Sequence, residues 1–175
     1  IKIVSDLMDR VPNLVSNSDL LIDSNGDGIP DGFELSANTE NVSLNNGILS
    51  YTPTAQYSNL YKFTQQVNIG DMIYFYARVK TSSPLVRAFT ISPAVNVFHT
   101  GSANWELLSG ISVREITALA VYVTNNNTSL FTPIEVDCMG AINITDFKNK
   151  GVKDDNGSLF SRLTNDEIKD QMDIW

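Results

Sequence analysis

A twelve-residue segment near the start of the chain, residues 23–34, carries oxygen-bearing groups at the spacing of a calcium-binding loop. Gly28 at the sixth position permits the tight turn that aims alternate residues at one point. Without a cation, the four carboxylates in this segment would repel one another. The sequence therefore predicts one structural calcium ion. Its backbone ligand is the carbonyl of Ile29, and its side-chain ligands are Asp23, Asn25, Asp27, Asp31 and Glu34.

The flanks of this segment differ from those of an EF-hand. Pro30 and Gly32 oppose a helix leaving the loop, and residues 14–22 look like a strand with a turn. The loop resembles the Asp-rich calcium-binding repeats of thrombospondin type 3 and dockerin modules, although it occurs once here. A single copy favours a structural ion inside another fold, and the alternative is a plain solvated turn.

The sequence has few residues or motifs that could support catalysis or a second kind of metal site. His99 is the only histidine and Cys138 the only cysteine, which argues against a zinc site and excludes an intrachain disulfide framework. No Gly-x-Ser-x-Gly motif supports a triad around His99, and no Gly-rich phosphate loop is present. Most carboxylates fall in the loop or near the C-terminus. We expect a protein that is not an enzyme.

The charge balance argues against two classes of partner. The formal net charge is −8 and the pI is near 4.5, so the surface repels nucleic-acid phosphates and anionic membranes. The longest uncharged runs, residues 88–105 and 116–134, are interrupted by polar residues, Gly or Pro. Neither run predicts a membrane-spanning helix.

Short alternating runs separated by turn residues dominate the chain. In the clearest, residues 72–80, Ile73, Phe75, Ala77 and Val79 point one way. At least seven such runs predict an all-β fold, an antiparallel two-sheet β-sandwich with a short C-terminal helix. A capping box at residues 164–167 opens that helix, with Ile168, Met172 and Trp175 on one face.

The expected organisation has three parts. Residues 1–13 form a linker or the end of an N-terminal helix or coiled coil, because Val4, Leu7 and Val11 follow heptad-like spacing. Residues 14–147 form the sandwich, and residues 148–175 form an extension whose helix packs on it.

The second face of the best strand is the candidate ligand surface. Tyr74, Tyr76 and Arg78 alternate with its apolar residues, and Tyr122 faces away from the apolar side of its own run, so it can share that surface. Sugar rings stack on aromatic side chains while hydroxyls bond to polar ones. The alternative is that these tyrosines pack under a loop, the terminal helix or a neighbouring subunit. Candidate rim residues are Arg87, His99 and Trp105.

Several short motifs resemble jelly-roll carbohydrate-binding-like modules. The motifs, in order, are Asn17-Ser18-Asp19-Leu20, Asp31-Gly32-Phe33, Asn46-Gly47-Ile48-Leu49, Ile69-Gly70-Asp71-Met72-Ile73-Tyr74-Phe75 and Val136-Asp137 with Met139. The ending, from residues 142–147 through residues 163–168 to Trp175, is similar to that of tail and tail-appendage proteins of bacteriophages and prophages of Gram-positive bacteria. Residues 148–151 depart from the Gly-rich stretch of that ending.

This resemblance implies a jelly roll in a virion tail or another extracellular or cell-surface location. The leading hypothesis is a non-catalytic tail-appendage module that recognises host cell-wall carbohydrate. A second is a structural, trimerisation or maturation domain that contacts other appendage subunits, with a homotrimer as one assembly. A third is an accessory sugar-binding module of a secreted glycan hydrolase.

Overall fold

The computed structural model of the chain describes residues 13–64, 66–145 and 164–173. The predicted all-β sandwich with a short C-terminal helix is confirmed. The strands in this part of the chain are β1 (Glu34–Leu35), β2 (Thr39–Asn45), β3 (Ile48–Pro53), β4 (Asn59–Phe63), β5 (Met72–Lys80), β6 (Val86–Thr90), β7 (Val95–Phe98), β8 (Trp105–Val113), β9 (Ala120–Asn125) and β10 (Ile134–Asn143), and the helix is α1 (Asn165–Asp173).

The strands form two five-stranded antiparallel sheets. The front sheet has the order β1-β4-β9-β6-β7, and the back sheet has the order β2-β3-β10-β5-β8. Partners in both sheets come from distant parts of the chain, since β10 lies between β3 and β5 and β9 lies between β4 and β6. The short hairpin turns predicted along the chain therefore account for only part of the pairing.

The main core lies between the sheets and follows the alternation of the strands. Ile73, Phe75, Ala77 and Val79 of β5 are fully buried in it, as predicted. The front sheet contributes inward residues such as Val121. Each fully buried Val, Leu, Ile or Phe side chain stabilises the fold by roughly 1.5–3 kcal/mol relative to an exposed one.

A second, smaller core lies between the back sheet and α1. The predicted capping box is present, because the backbone N–H of Thr164 donates to Glu167 Oε2 at 2.7 Å and the Glu167 N–H donates to Thr164 Oγ1 at 3.2 Å. Ile168 and Met172 are buried against residues that include Tyr74 and Tyr76. The helix thus covers part of the outer face of the back sheet.

Some expectations concern residues outside the described ranges. These are the heptad-like spacing in residues 1–12, the motif and extension in residues 146–163, and Trp175. Asn13, the last residue of the expected linker, is joined to the sandwich, since its Oδ1 accepts the Ala141 N–H at 3.0 Å. Within the described residues, no helix has the length and apolar character needed to cross a membrane.

Candidate functional site

The outer face of the front sheet carries aromatic side chains from four strands. We call this surface the aromatic face, and its rings belong to Tyr61, Phe63, Phe89, Phe98 and Tyr122. None of them belongs to the two cores of the described part of the chain. Apolar side chains that form a contiguous exposed patch, unlike scattered single residues, mark an interaction surface.

The strand registers place the central residues of this face in one row. Tyr122 lies between Tyr61 and Phe89, which are its partners on the neighbouring strands. Glu34 is the register partner of Tyr61 at one end, and Asn96 is the partner of Phe89 at the other. The row therefore crosses all five strands, with polar side chains at both ends and rings between them.

The three central rings are stacked on one another. Tyr122 lies 4.6 Å from Phe89 and 5.6 Å from Tyr61 between ring centroids, with interplanar angles of 16° and 24°. Phe63 meets Tyr61 edge to face at 5.7 Å. The flanking rings have more open surface, because Phe63 is 56% and Phe98 45% exposed.

Polar groups surround these rings. The Tyr61 hydroxyl donates to Glu34 Oε2 at 2.6 Å, and this bond raises the pKa of Tyr61. The Thr124 hydroxyl donates to Asn59 Oδ1 one row further along. Arg87, a predicted rim residue, places its guanidinium carbon 4.7 Å from the centroid of Phe89. The face therefore combines apolar ring surface with hydrogen-bonding groups.

The structure corrects the prediction that Tyr74 and Tyr76 form an open surface. Their side chains are 3% and 9% exposed because α1 and Asn13 cover them. The Tyr74 hydroxyl donates to Asp173 Oδ1 at 2.8 Å, and Asn13 Nδ2 donates to the Tyr76 hydroxyl at 2.8 Å. Burial is the main reason that both tyrosine pKa values are raised. For these two tyrosines, the alternative that they pack beneath the terminal helix is therefore the correct one.

The expectation that Tyr122 shares a surface with Tyr74 and Tyr76 is also wrong. Tyr122 is on β9 of the front sheet, whereas Tyr74 and Tyr76 are on β5 of the back sheet. Both sets face outward, so the whole sandwich lies between them. Alternation defines which side of its own strand a residue occupies, but not which sheet the strand joins.

A cavity remains beside the covered tyrosines. Its volume is about 340 Å³, and it is lined by Tyr74, Tyr76, Arg78, Leu107, Cys138, Met172 and Asp173. Arg78 Nη1 donates to Asp137 Oδ2 at 2.7 Å, and its guanidinium carbon lies 5.2 Å from the centroid of Trp105. Burial, followed by the charge of Asp137, raises the pKa of the Cys138 thiol to about 11. Ligand contact by Tyr74, Tyr76 and Arg78 stays a prediction, now restricted to this cavity.

The predicted metal loop is held by hydrogen bonds from its own backbone. The carboxylate of Asp23 accepts the N–H groups of Gly26 and Gly28 at 2.9 and 3.0 Å. Asn25 Oδ1 accepts the Asp27 N–H at 3.1 Å, and Asp27 Oδ1 accepts the Ile29 N–H at 2.8 Å. These bonds compensate part of the negative charge that a cation was predicted to neutralise.

Asp31 and Glu34, the last two predicted side-chain ligands, have other partners. Asp31 accepts the hydroxyl and the N–H of Ser24, which lowers the pKa of Asp31. Glu34 lies in β1 and bonds to Tyr61. Across the described ranges, no group of three or more His, Cys, Asp or Glu residues is placed to hold a metal ion. The six residues therefore fit calcium only in part, and Glu34 does not fit; calcium binding stays a prediction.

Two other predicted rim residues lie away from the aromatic face. His99 is buried, its Nδ1 accepts the Gly101 N–H at 2.8 Å, and its Nε2 faces the Asn104 carbonyl at 3.1 Å. Trp105 is on β8 of the back sheet. His99 thus has a structural role in the loop between β7 and β8.

Four aromatic residues of the front sheet were missed as site residues: Tyr61, Phe63, Phe89 and Phe98. A signal was available in the sequence, because Tyr61 and Phe63 are two residues apart, as are Arg87 and Phe89. That spacing places each pair on one face of its strand. Their assembly into one surface depends on strand pairing over distant parts of the chain.

Comparison with known proteins supplies a fold relationship. No protein-family model and no curated protein matches this sequence. Two solved structures each have a TM-score of 0.53 at 11% identity. One is described as "CBM4 structure and function", with 74% of this chain and 99% of that one covered. The other is the second N-terminal cellulose-binding domain of Cellulomonas fimi β-1,4-glucanase C, with 78% and 97% covered. The chain has the β-sandwich fold of these carbohydrate-binding modules.

Proposed function

We propose that this chain is a non-catalytic carbohydrate-binding module whose ligand lies on the aromatic face. The observation that carries the proposal is the row of rings across the outer side of the front sheet, with Glu34 and Asn96 at its ends. The apolar C–H surface of a sugar packs against rings, and its hydroxyl groups bond to polar side chains at the margin. The fold shared with carbohydrate-binding modules supports the same function.

The dimensions of the face suit an extended glycan. Phe63 and Phe98 are on β4 and β7, which are separated by three inter-strand steps, or about 14 Å. The registers offset them by four residues along the strands, or about 13 Å. The two exposed rings are thus about 20 Å apart on a flat sheet. A chain of several sugar rings spans this distance, whereas a single sugar does not.

In the part of the chain that the structure describes, the same face lacks a pair of carboxylates for glycoside hydrolysis. Glu34 is the only acidic side chain among the outward residues of the front-sheet strands, and it accepts a hydrogen bond from Tyr61. Glycosidases commonly need two carboxyl groups that flank the scissile bond. The arrangement supports binding without turnover.

Two parent proteins fit this module. The motif order of the sequence favours a phage tail appendage, in which the ligand is host cell-wall carbohydrate and other appendage subunits are partners. The Cellulomonas structure is a domain of a β-1,4-glucanase, which favours an accessory module of a secreted glycan hydrolase equally. Gene neighbourhood separates the two, since tail genes accompany the first and hydrolase domains the second.

A glycan array followed by calorimetry with the retained polymer tests the site. We expect Tyr122→Ala and Phe63→Ala to reduce affinity at least tenfold. Trp105→Ala is the matched control, because Trp105 is an aromatic residue of the back sheet. Unchanged affinity in both front-sheet variants would contradict the proposed site. A stable trimer that buries Phe63 and binds no glycan would favour the structural alternative.

A further inference from the structure

Among the described residues, Arg87 is the only cation on the outward side of the front-sheet strands. Its guanidinium carbon lies 4.7 Å from the centroid of Phe89 and 5.7 Å from that of Phe98. It makes no ion pair with any other residue in the described part of the chain. Its Nε atom is buried and has no hydrogen-bond partner within the described ranges. Among the described residues, the guanidinium therefore has neither an ion-pair partner nor an acceptor for its buried N–H group.

Arg78, on the opposite side of the sandwich, has the carboxylate partner that Arg87 lacks within the described residues. It lies against an aromatic ring in the same way, 5.2 Å from the centroid of Trp105. In addition, it donates to the carboxylate of Asp137 at 2.7 Å. Two arginines thus have similar ring contacts, and only the one on the aromatic face has no carboxylate.

No other charge that the structure describes on this face compensates Arg87. Glu34 lies on β1, three inter-strand steps from β6, which corresponds to about 14 Å. Exposed charges at that separation are largely screened at physiological ionic strength, where the Debye length is about 8 Å. A guanidinium that stacks on rings can still donate its N–H groups to an acceptor. Its planar arrangement of donors matches the geometry of carboxylate and phosphate groups.

We infer that the ligand of the aromatic face is an anionic glycan, whose carboxylate or phosphate group is bound by Arg87. This inference rests on the proposed function and adds the charge of the ligand to it. The rings contact the uncharged part of the sugar chain, and an oxygen of the anion accepts from Arg87. The overall charge of −8 opposes binding of anions at other positions, so this local cation also provides selectivity.

The test compares polymers that differ in charge. Polygalacturonate provides the carboxylate, and its fully methyl-esterified form is the matched neutral polymer. Phosphorylated dextran provides the phosphate, and dextran is its neutral match. Affinity is measured for the full chain, for Arg87→Gln and for Arg87→Lys. Lys80→Gln is the control, since it removes a cation of the opposite sheet that lies 5.9 Å from the centroid of Trp105. Thermal melting verifies that every variant is folded.

We expect at least one anionic polymer to bind tenfold or more tightly than its neutral counterpart, with affinity falling as salt rises. Arg87→Gln should abolish that preference, Arg87→Lys should retain part of it, and Lys80→Gln should leave it unchanged. Equal binding of neutral and anionic polymers, lost in Tyr122→Ala, would overturn the inference and leave the proposed function intact. Failure to bind any of these polymers, with a neutral glycan retained on the array, would also overturn only the inference. Absence of binding on the array as well would overturn both.

Discussion

The hydroxyl of Tyr61 donates to the Glu34 carboxylate at 2.6 Å, which joins the end of the predicted metal loop to the aromatic face. Glu34 occupies the twelfth position of that loop and is also the first residue of β1. Its backbone pairs with Tyr61 across the sheet, so the side chains meet on the same face. A carboxylate predicted as a metal ligand therefore contributes to the candidate glycan site.

Calcium binding by the loop predicts a stability change on chelation. Calcium at a thousandfold excess over its dissociation constant adds about 4 kcal/mol to the free energy of unfolding. Removal of the ion with EDTA should therefore lower the melting temperature. Asp23→Asn should abolish the difference between calcium and EDTA. Glu34→Gln should preserve it, because Glu34 is bonded to Tyr61. Identical melting curves for the unmodified chain with calcium and with EDTA would exclude the ion.

Docking of α1 predicts a cost for removing one hydroxyl group. Tyr74→Phe removes the bond to Asp173 and leaves the ring in place. We expect the free energy of unfolding to fall by about 0.5–1.5 kcal/mol in urea denaturation. Tyr57→Phe is the control, because Tyr57 is 56% exposed. Equal stability of the two variants would show that the Tyr74 bond does not hold the helix.

Close approach of Tyr76 to the backbone predicts that Gly140 is intolerant of a side chain. A Cβ at Gly140 would lie 2.5 Å from Tyr76 Cζ and 2.6 Å from Asn13 Nδ2. Gly140→Ala should therefore destabilise the fold by roughly 1–3 kcal/mol. In a Tyr76→Leu background the same change should have a smaller effect. Additive effects in the double variant would contradict a steric origin.

Hydrogen bonds to Glu106 predict a specific pH dependence. Burial disfavours the charged form, but bonds from Thr100 and Ser102 outweigh it and lower the pKa of Glu106 from 4.5 to about 2. A carboxyl group whose pKa is lower in the folded state stabilises the fold at pH values above its unfolded-state pKa. That stabilisation is lost as pH falls from about 4.5 toward 2. Glu106→Gln should lower the melting temperature at pH 7 and have little effect near pH 2. A constant difference across that range would refute the ionic contribution.

Local sequence patterns determined the strands, the main core and the helix start. Ile73, Phe75, Ala77 and Val79 alternate with polar residues, and this period of two requires one face of β5 to be buried. The capping box at residues 164–167 is equally local, since both hydrogen bonds join residues three apart. Such features depend on neighbouring residues and can be predicted from the sequence alone.

Tertiary structure alone decided which side chains share a surface. Tyr122 joins Tyr61 and Phe89 because β9 pairs with β4 and β6, which are far from it in the chain. Tyr74 and Tyr76 are covered because α1 docks on their side of the back sheet. Alternation places a residue on one side of its own strand, whereas strand pairing and helix docking are long-range contacts that depend on the whole core. The sequence therefore predicted a sandwich with aromatic strand faces, and only the three-dimensional packing decided which of those faces remains open to a ligand.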